Sequence, residues 1–214
     1  MDLQDSVIKK QHEETFKFLL RKVQRKGIPE MIEYLEENDF FNAPASSKFH
    51  YNFPGGLMLH SLKVFDLFDR MTKHLGLDIN QETRHIVPLL HDVCKINMYI
   101  KTDMGYKFNL SAPKGHALIS LRIIEKFVEL LPLEKRMIAL HMGMYGASGF
   151  HPEYTLNELV EGFRTKEAKL FYFCDDMSAQ FMEHERSFSE VKFNLLQNTP
   201  SKNRNYPSVK TEEI

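Results

Sequence analysis

Apolar positions recur along most of the chain at helical spacing. Residues from about Gln4 to Lys26 form an amphipathic stretch that stops at Gly27, a good helix end. Pro29 opens a short helix to about Asn38, and a loop follows at Asn42-Ala43-Pro44-Ala45-Ser46-Ser47. Pro54-Gly55-Gly56 precedes a long helix from about Leu57 to Leu75. Another runs from about Gln81 to Lys95, with Pro88 as a kink or late start. Tyr99-Ile100-Lys101 and Tyr106-Lys107-Phe108 flank Asp103-Met104-Gly105 and read as a small hairpin. Helical pattern resumes from Lys114 to Leu130 and from Pro132 to His141. Residues 143–149, rich in glycine, read as a loop between helices. A last helix spans about Thr165 to Glu183, and the chain from about Thr199 reads as a loose tail. The pattern predicts an all-α fold with a minor β-hairpin.

Several of these apolar stripes carry a polar residue. His60 shares a stripe with Leu57, Val64, Leu67, Phe68 and Met71. His116 continues the stripe of Ile119, Ile123, Phe127 and Leu130. Met137 and Ile138 lead into His141. Asp175 lies amid Ala168, Phe171, Tyr172, Ala179 and Met182. His91 and Asp92 follow Val87, Leu89 and Leu90. A single inward His is more often a hydrogen-bonded core residue than a ligand. An ionised Asp in an apolar core is rarer, because its burial costs several kcal/mol, roughly, unless it is paired. No Arg or Lys recurs on these stripes as a partner. One divalent cation accounts for all of these residues together.

His91 and Asp92 lie about 100° apart on one turn, and Lys95 shares their face. A lysine there suits an anion lying on a metal; it equally suits an exposed helix end. Of the other histidines, His74 lies roughly 21 Å along the axis from His60 and cannot serve the same site. His184 projects to the face opposite Asp175, and His12 reads as solvated. His50 and His151 lie in loops and could touch a substrate, while His85 is the rival to the inward set.

Composition narrows the classes. Hydrophobic residues make up 43% and charged residues 27%, which excludes a wholly disordered chain. Lys plus Arg is 28 and Asp plus Glu is 29, for a formal net charge of -1. No bulk field exists to hold nucleic acid or an anionic membrane. No apolar run approaches a membrane span and the start shows no signal peptide. Cys94 and Cys174 are lone thiols in apolar-rich segments, which reads as a reducing cytoplasm with both packed and inert.

The inward residues resemble the HD superfamily of metal-dependent phosphohydrolases. The pattern of that family, a His, a His-Asp pair and a distal Asp, matches His60 in Gly55-Gly56-Leu57-Met58-Leu59-His60-Ser61. The pair matches Leu89-Leu90-His91-Asp92-Val93-Cys94-Lys95, and the distal acid matches Asp175 in Phe173-Cys174-Asp175-Asp176-Met177. The likeness covers roughly residues 50 to 185 and implies an HD-domain-like helical bundle. Gly115-His116-Ala117 and His141-Met142-Gly143 are similar to the additional histidines of binuclear members, which implies a second metal at His116 and His141 with Asp92 bridging. Met142 stands where many such relatives carry a second His. Cys94 replaces the usual Gly of the motif; at about 200° from Asp92 on a helix, it reads as packing. The chain is similar to the HD domain of bacterial 3′→5′ exoribonucleases that bear an OB-fold, yet its first fifty residues read as helical, without OB-type strands.

The resemblance implies one or two divalent metal ions, of which Mn, Fe, Co, Ni or Zn suit the imidazole-carboxylate set, with Mg a further candidate. The implied activity is hydrolysis of a phosphate ester in a nucleotide or short oligonucleotide. Asp92 bridges the metals or orients the attacking water, and Lys95 contacts the phosphoryl oxygens. Tyr145 is available to stack on a base. Three rivals remain: a phosphodiesterase for a cyclic nucleotide or dinucleotide, a regulatory module that uses metal structurally, and a plain helical interaction domain with unrelated core histidines. Three stretches are expected: a helical extension over 1–50, the metal domain over 51–185, and a partly loose tail over 186–214. Oligomeric state is left open.

Overall fold

The structure is a computed structural model that describes residues 3–148 and 152–192. The expected tail from Thr199, and also Gly149 and His151, lie outside these residues. Helix α1 spans Leu3–Leu20 and α2 spans Ile28–Glu37. Helix α1 ends earlier than its pattern predicts. Residues 21–26 turn, with the Val23 amide donating to the Leu20 carbonyl, and Arg25 leaves the helical path to pair with Glu134 and Glu82. Helices α1 and α2 carry Phe16, Leu20, Met31 and Leu35 into the common core.

Helix α3, Gly56–His74, packs against α1, α4 and α9. Its start explains the Pro-Gly-Gly sequence. Gly55 has a φ of 87°, a left-handed conformation that penalises any residue with a Cβ. A Cβ on Gly56 would lie 2.0 Å from the Tyr51 carbonyl oxygen, so a larger residue cannot enter. This close approach fixes where the first turn of α3 begins, and His60 follows one turn later. Leu57, Met58, Leu59, Leu62, Val64 and Phe68 are fully buried. Each such side chain contributes roughly 1.5–3 kcal/mol, which offsets burying the His60 ring among them.

Helix α4, Gln81–Leu90, is capped by the Asn80 side chain, which accepts from the Thr83 amide at 2.8 Å. It contains Pro88 and stops at Leu90 rather than at Lys95. Residues Val93–Asn97 form a 3₁₀ helix instead. The hairpin is present as predicted: β1 (Tyr99–Thr102) pairs antiparallel with β2 (Gly105–Phe108), Tyr99 opposite Phe108 and Thr102 opposite Gly105. Helix α5, His116–Ile124, ends before Leu130, where the chain tightens through i to i−3 amide bonds at Lys126 and Phe127. Helix α6 spans Pro132–Leu140.

The glycine-rich stretch is helical over Gly143–Ser148, as α7. Its glycines serve close packing: a Cβ on Gly143 would meet the Tyr172 ring at 2.2 Å, and one on Gly146 would meet the Tyr154 hydroxyl at 2.2 Å. Helix α8 (Leu156–Gly162) was not expected, and α9 spans Lys166–Met177 before a π-helical turn at Ser178–Met182. The described residues thus form an all-α bundle with one small hairpin. Among them no helix is long and apolar enough to cross a membrane.

Candidate metal centre

The last helical residues and first turns of α3, α4, α5, α6 and α9 converge on one polar cluster inside the bundle. The His60 Nε2 lies 3.3 Å from the His91 Nε2, 3.1 Å from Asp175 Oδ1 and 3.4 Å from Asp92 Oδ2. His91 Nε2 lies 3.5 Å from Asp175 Oδ1 and 3.6 Å from Asp92 Oδ2. On the other side of the same carboxylate, Asp92 Oδ1 lies 2.6 Å from His116 Nε2 and 3.3 Å from His141 Nε2. His60, His91 and His141 are buried, and the Asp92 side chain is 2% exposed. The residues singled out as ligands are therefore all brought together, and Asp92 presents one oxygen to each half.

Hydrogen bonds fix which ring nitrogens face the centre. The His60 Nδ1 donates to Glu183 Oε1 at 2.8 Å, His91 Nδ1 to the Pro88 carbonyl at 2.9 Å, and His141 Nδ1 to the Ile138 carbonyl at 2.7 Å. A carbonyl or carboxylate only accepts, so each Nδ1 carries the proton and each Nε2 of a neutral ring is a lone pair. His60 Nε2 and His91 Nε2 then face each other among carboxylate oxygens, each a lone pair whenever its ring is neutral. His141 Nε2 is buried with no hydrogen-bond partner among the described residues. Separations of 3.1–3.6 Å are close to the ~3.4 Å edge of a tetrahedron of donors about 2.1 Å from a cation. Donor type, spacing and the orphaned His141 nitrogen all fit a divalent metal, and among the described residues four groups, His50-His60-Glu183, His60-His91-Asp175, His91-Asp92-His141 and Asp92-Cys94-His116, have ligand atoms close enough to hold one.

Charge in the cluster is tightly coupled. Burial opposes ionisation of Asp92, yet Lys95, His91 and His116 outweigh it and hold its carboxyl well below the usual carboxylate range. Burial likewise opposes Asp175, where His91 and His60 prevail. Burial lowers His60, but Glu183, Asp175 and Asp92 pull its imidazole well above the ordinary value. Lys95 Nζ sits 2.6 Å from Asp92 Oδ2, and that carboxylate holds its ammonium charged against burial. These directions describe a pocket whose carboxylates stay ionised, so that they can serve a cation as ligands.

Other residues stand differently from their sequence reading. Helix α4 ends at Leu90, so helical projection does not extend to Cys94. Its Sγ lies 3.2 Å from His116 Nδ1 and borders the centre, although burial and Asp92 push its thiol pKa up. His12 is buried, donating Nδ1 to the Ile8 carbonyl at 2.9 Å. His85 is no rival: its Nδ1 donates to the Gln81 carbonyl at 2.6 Å and its ring packs on Phe65. His50 lies beside His60, ring centroids 5.3 Å apart, and burial with Lys95 and His60 nearby lowers its pKa to about 4. Tyr145 stands on α7, 68% exposed.

Sequence reasoning missed Glu183. It is buried, accepts from Ser178 Oγ at 2.7 Å and orients His60. In the chain it opens Glu183-His184-Glu185-Arg186, which reads as surface, and the π turn before it breaks the helical projection from Asp175.

No family model and no solved structure matches the chain significantly. Among curated proteins it is similar to the 3′-5′ exoribonuclease YhaM of Geobacillus sp. (strain WCH70), 24% identical over 174 residues, covering 79% of this chain and 52% of that protein. It is also similar to the dihydroneopterin 2′,3′-cyclic phosphate phosphodiesterase of Methanocaldococcus jannaschii, 29% identical over 111 residues, covering 47% of this chain and 42% of that protein. The chain thus spans about half the length of the curated relatives it matches. Together the ligand clusters and these distant relatives support a likeness to an HD-domain-like metal-binding superfamily, not to one particular family.

Proposed function

We propose that the protein hydrolyses phosphate esters of nucleotides or short oligonucleotides with one or two divalent metal ions. The observation that supports this most is the division of Asp92 between two imidazole groups with Lys95 on one of its oxygens. His60, His91, Asp92 and Asp175 would hold one cation, and Asp92, His116 and His141 would hold a second. The donor set suits Mn, Fe, Co, Ni or Zn better than Mg, which prefers oxygen. When bound, such ions supply Lewis acidity and activate a water at neutral pH.

The chain's own residues do the rest. Asp92 joins the two positions and orients the attacking water. The Lys95 ammonium, 2.6 Å from Asp92 Oδ2, would offer its charge to a nonbridging phosphoryl oxygen, where it would stabilise developing negative charge. The rings of His60, His91 and His141 are held at Nδ1, so they need no reorientation when substrate arrives. Exposed Tyr145 offers a face for a base. The chemistry is assigned to residues 51–185, with 1–50 as a supporting helical extension.

A second reading is a cyclic phosphodiesterase. It is favoured by the M. jannaschii relative, whose name specifies a 2′,3′-cyclic phosphate. A non-catalytic metal module is the alternative to both. The test is metal content measured beside turnover of mononucleotides, 2′,3′-cyclic nucleotides, cyclic dinucleotides and short RNA. Metal-dependent release from linear esters is expected, and it should vanish with the metal in the His91→Ala/Asp92→Ala double variant. Bound metal with no turnover of any member would make the site structural, and activity in the metal-free variant would remove the proposal.

A further inference from the structure

Three of the four histidines at the centre give Nδ1 to an oxygen: His60 to the Glu183 carboxylate, His91 and His141 to main-chain carbonyls. His116 differs. Its Nδ1 meets the Cys94 sulfur at 3.2 Å. Cys94 is held there by its own amide, which donates to the Ser120 hydroxyl of α5 at 3.2 Å, so the sulfur and the His116 helix are fixed to one another. A second observation points to a ligand at this half of the centre: His141 Nε2, buried and without a hydrogen-bond partner among the described residues, aims at the same Asp92 oxygen as His116 Nε2.

We propose that Cys94 is the positioning residue of His116 and makes the second cation position the weaker of the two. The inference rests on the metal reading above. With no cation, the His116 Nε2 proton bonds to Asp92 Oδ1 and the thiol donates to Nδ1. A cation on Nε2 requires the other tautomer, in which Nδ1–H donates to sulfur. A thiol serves both tautomers, but sulfur is a weak acceptor. The ring of His116 is therefore less firmly oriented and less basic than the oxygen-backed rings. The first position fills at low metal concentration and the second only at higher concentration, so the two-metal state depends on metal supply.

Co(II) is the probe, titrated into metal-free protein by calorimetry with spectra recorded at each addition. The wild-type chain is expected to bind two ions of unequal affinity. Cys94→Ala should weaken the lower-affinity site by roughly 10–100-fold and leave the other unchanged, while Cys94→Ser, whose hydroxyl oxygen is the stronger acceptor, should tighten it above wild type. An unchanged weak site in Cys94→Ala, or equal weakening of both sites, overturns the role. An intense sulfur-to-cobalt band that Cys94→Ala abolishes also overturns it, since sulfur is then a ligand. A single bound ion removes the second position while sparing a one-metal site. No bound ion removes the metal reading itself.

Discussion

The Lys95 ammonium lies 2.6 Å from Asp92 Oδ2, the oxygen that also faces His60 and His91. Lys95 has no lone pair to offer a metal while charged, so it is an anion partner and not a ligand. Lys95→Met is expected to retain bound metal and lower kcat by roughly 10²–10³-fold. Metal analysis beside turnover separates the two effects; loss of metal in this variant would show that Lys95 merely supports the ligand geometry.

Glu183 acts on the same site from behind His60. It holds His60 Nδ1 at 2.8 Å with its side chain fully buried, so it selects the tautomer that turns Nε2 inward. Glu183→Ala should reduce affinity for the first cation by roughly 10–100-fold. Glu183→Gln keeps an acceptor oxygen and should lose less. Equal loss in the two variants would point to charge rather than to orientation.

Metal removal should also be visible in stability. A cation that binds only the folded chain adds about 2.7 kcal/mol at a hundredfold excess over Kd, or roughly 5–10 °C in Tm for a chain of this size. Thermal scans with a chelator and then with Mn(II) or Zn(II) restored should differ by that order. A Tm indifferent to both treatments would contradict a resident metal.

Much of this centre was legible because its ligands lie on helices whose apolar stripes are strong. His60, His116, His141 and Asp175 each interrupt such a stripe, and a 3.6-residue period suffices to aim them inward. The period fails where the backbone leaves the α-helix. The 3₁₀ segment after α4 turned Cys94 from apparent packing into a contact of His116, and the π turn after α9 brought in Glu183. Helix α8 did carry a readable signal, Thr155-Leu156-Asn157-Glu158, in which Thr155 and Glu158 cap each other. His12 lies among Gln11, Glu13 and Glu14 and looks solvated, but the neighbouring segment around Phe188 covers it. Burial supplied by distant segments does not show in local periodicity.

The connection between α2's approach and α6 depends on a buried ion pair. Arg25 grips both Glu134 oxygens, at 2.6 and 2.8 Å, and reaches Glu82 at 3.0 Å. Glu134 is fully buried and also accepts from Thr83 Oγ1 and the Leu131 amide. Arg25→Ala leaves that carboxylate uncompensated and should cost about 3–5 kcal/mol. Urea denaturation checks the value. Arg25→Met with Glu134→Leu should recover most of the loss, because it removes the buried charge; no recovery would mean that packing, not charge, dominates.

Asp69 provides a pH test away from the centre. It joins α3 to α4 through Arg84 Nε at 2.8 Å and pairs with Lys73, with Asp66 and His85 nearby. Burial would raise its pKa, but the hydrogen bonds from Lys73 and Arg84 prevail and hold it below the usual carboxylate range. A folded value below the unfolded one, near 3.9, means the unfolded chain binds the proton more readily. The stabilisation is therefore present above about pH 4 and is lost as pH falls through the depressed folded value. Asp69→Asn should be less stable than wild type at pH 7, and the difference should narrow between about pH 4 and pH 2. Denaturation curves at these pH values decide it: a gap that stays constant to pH 2 would show that the Asn variant loses geometry rather than charge.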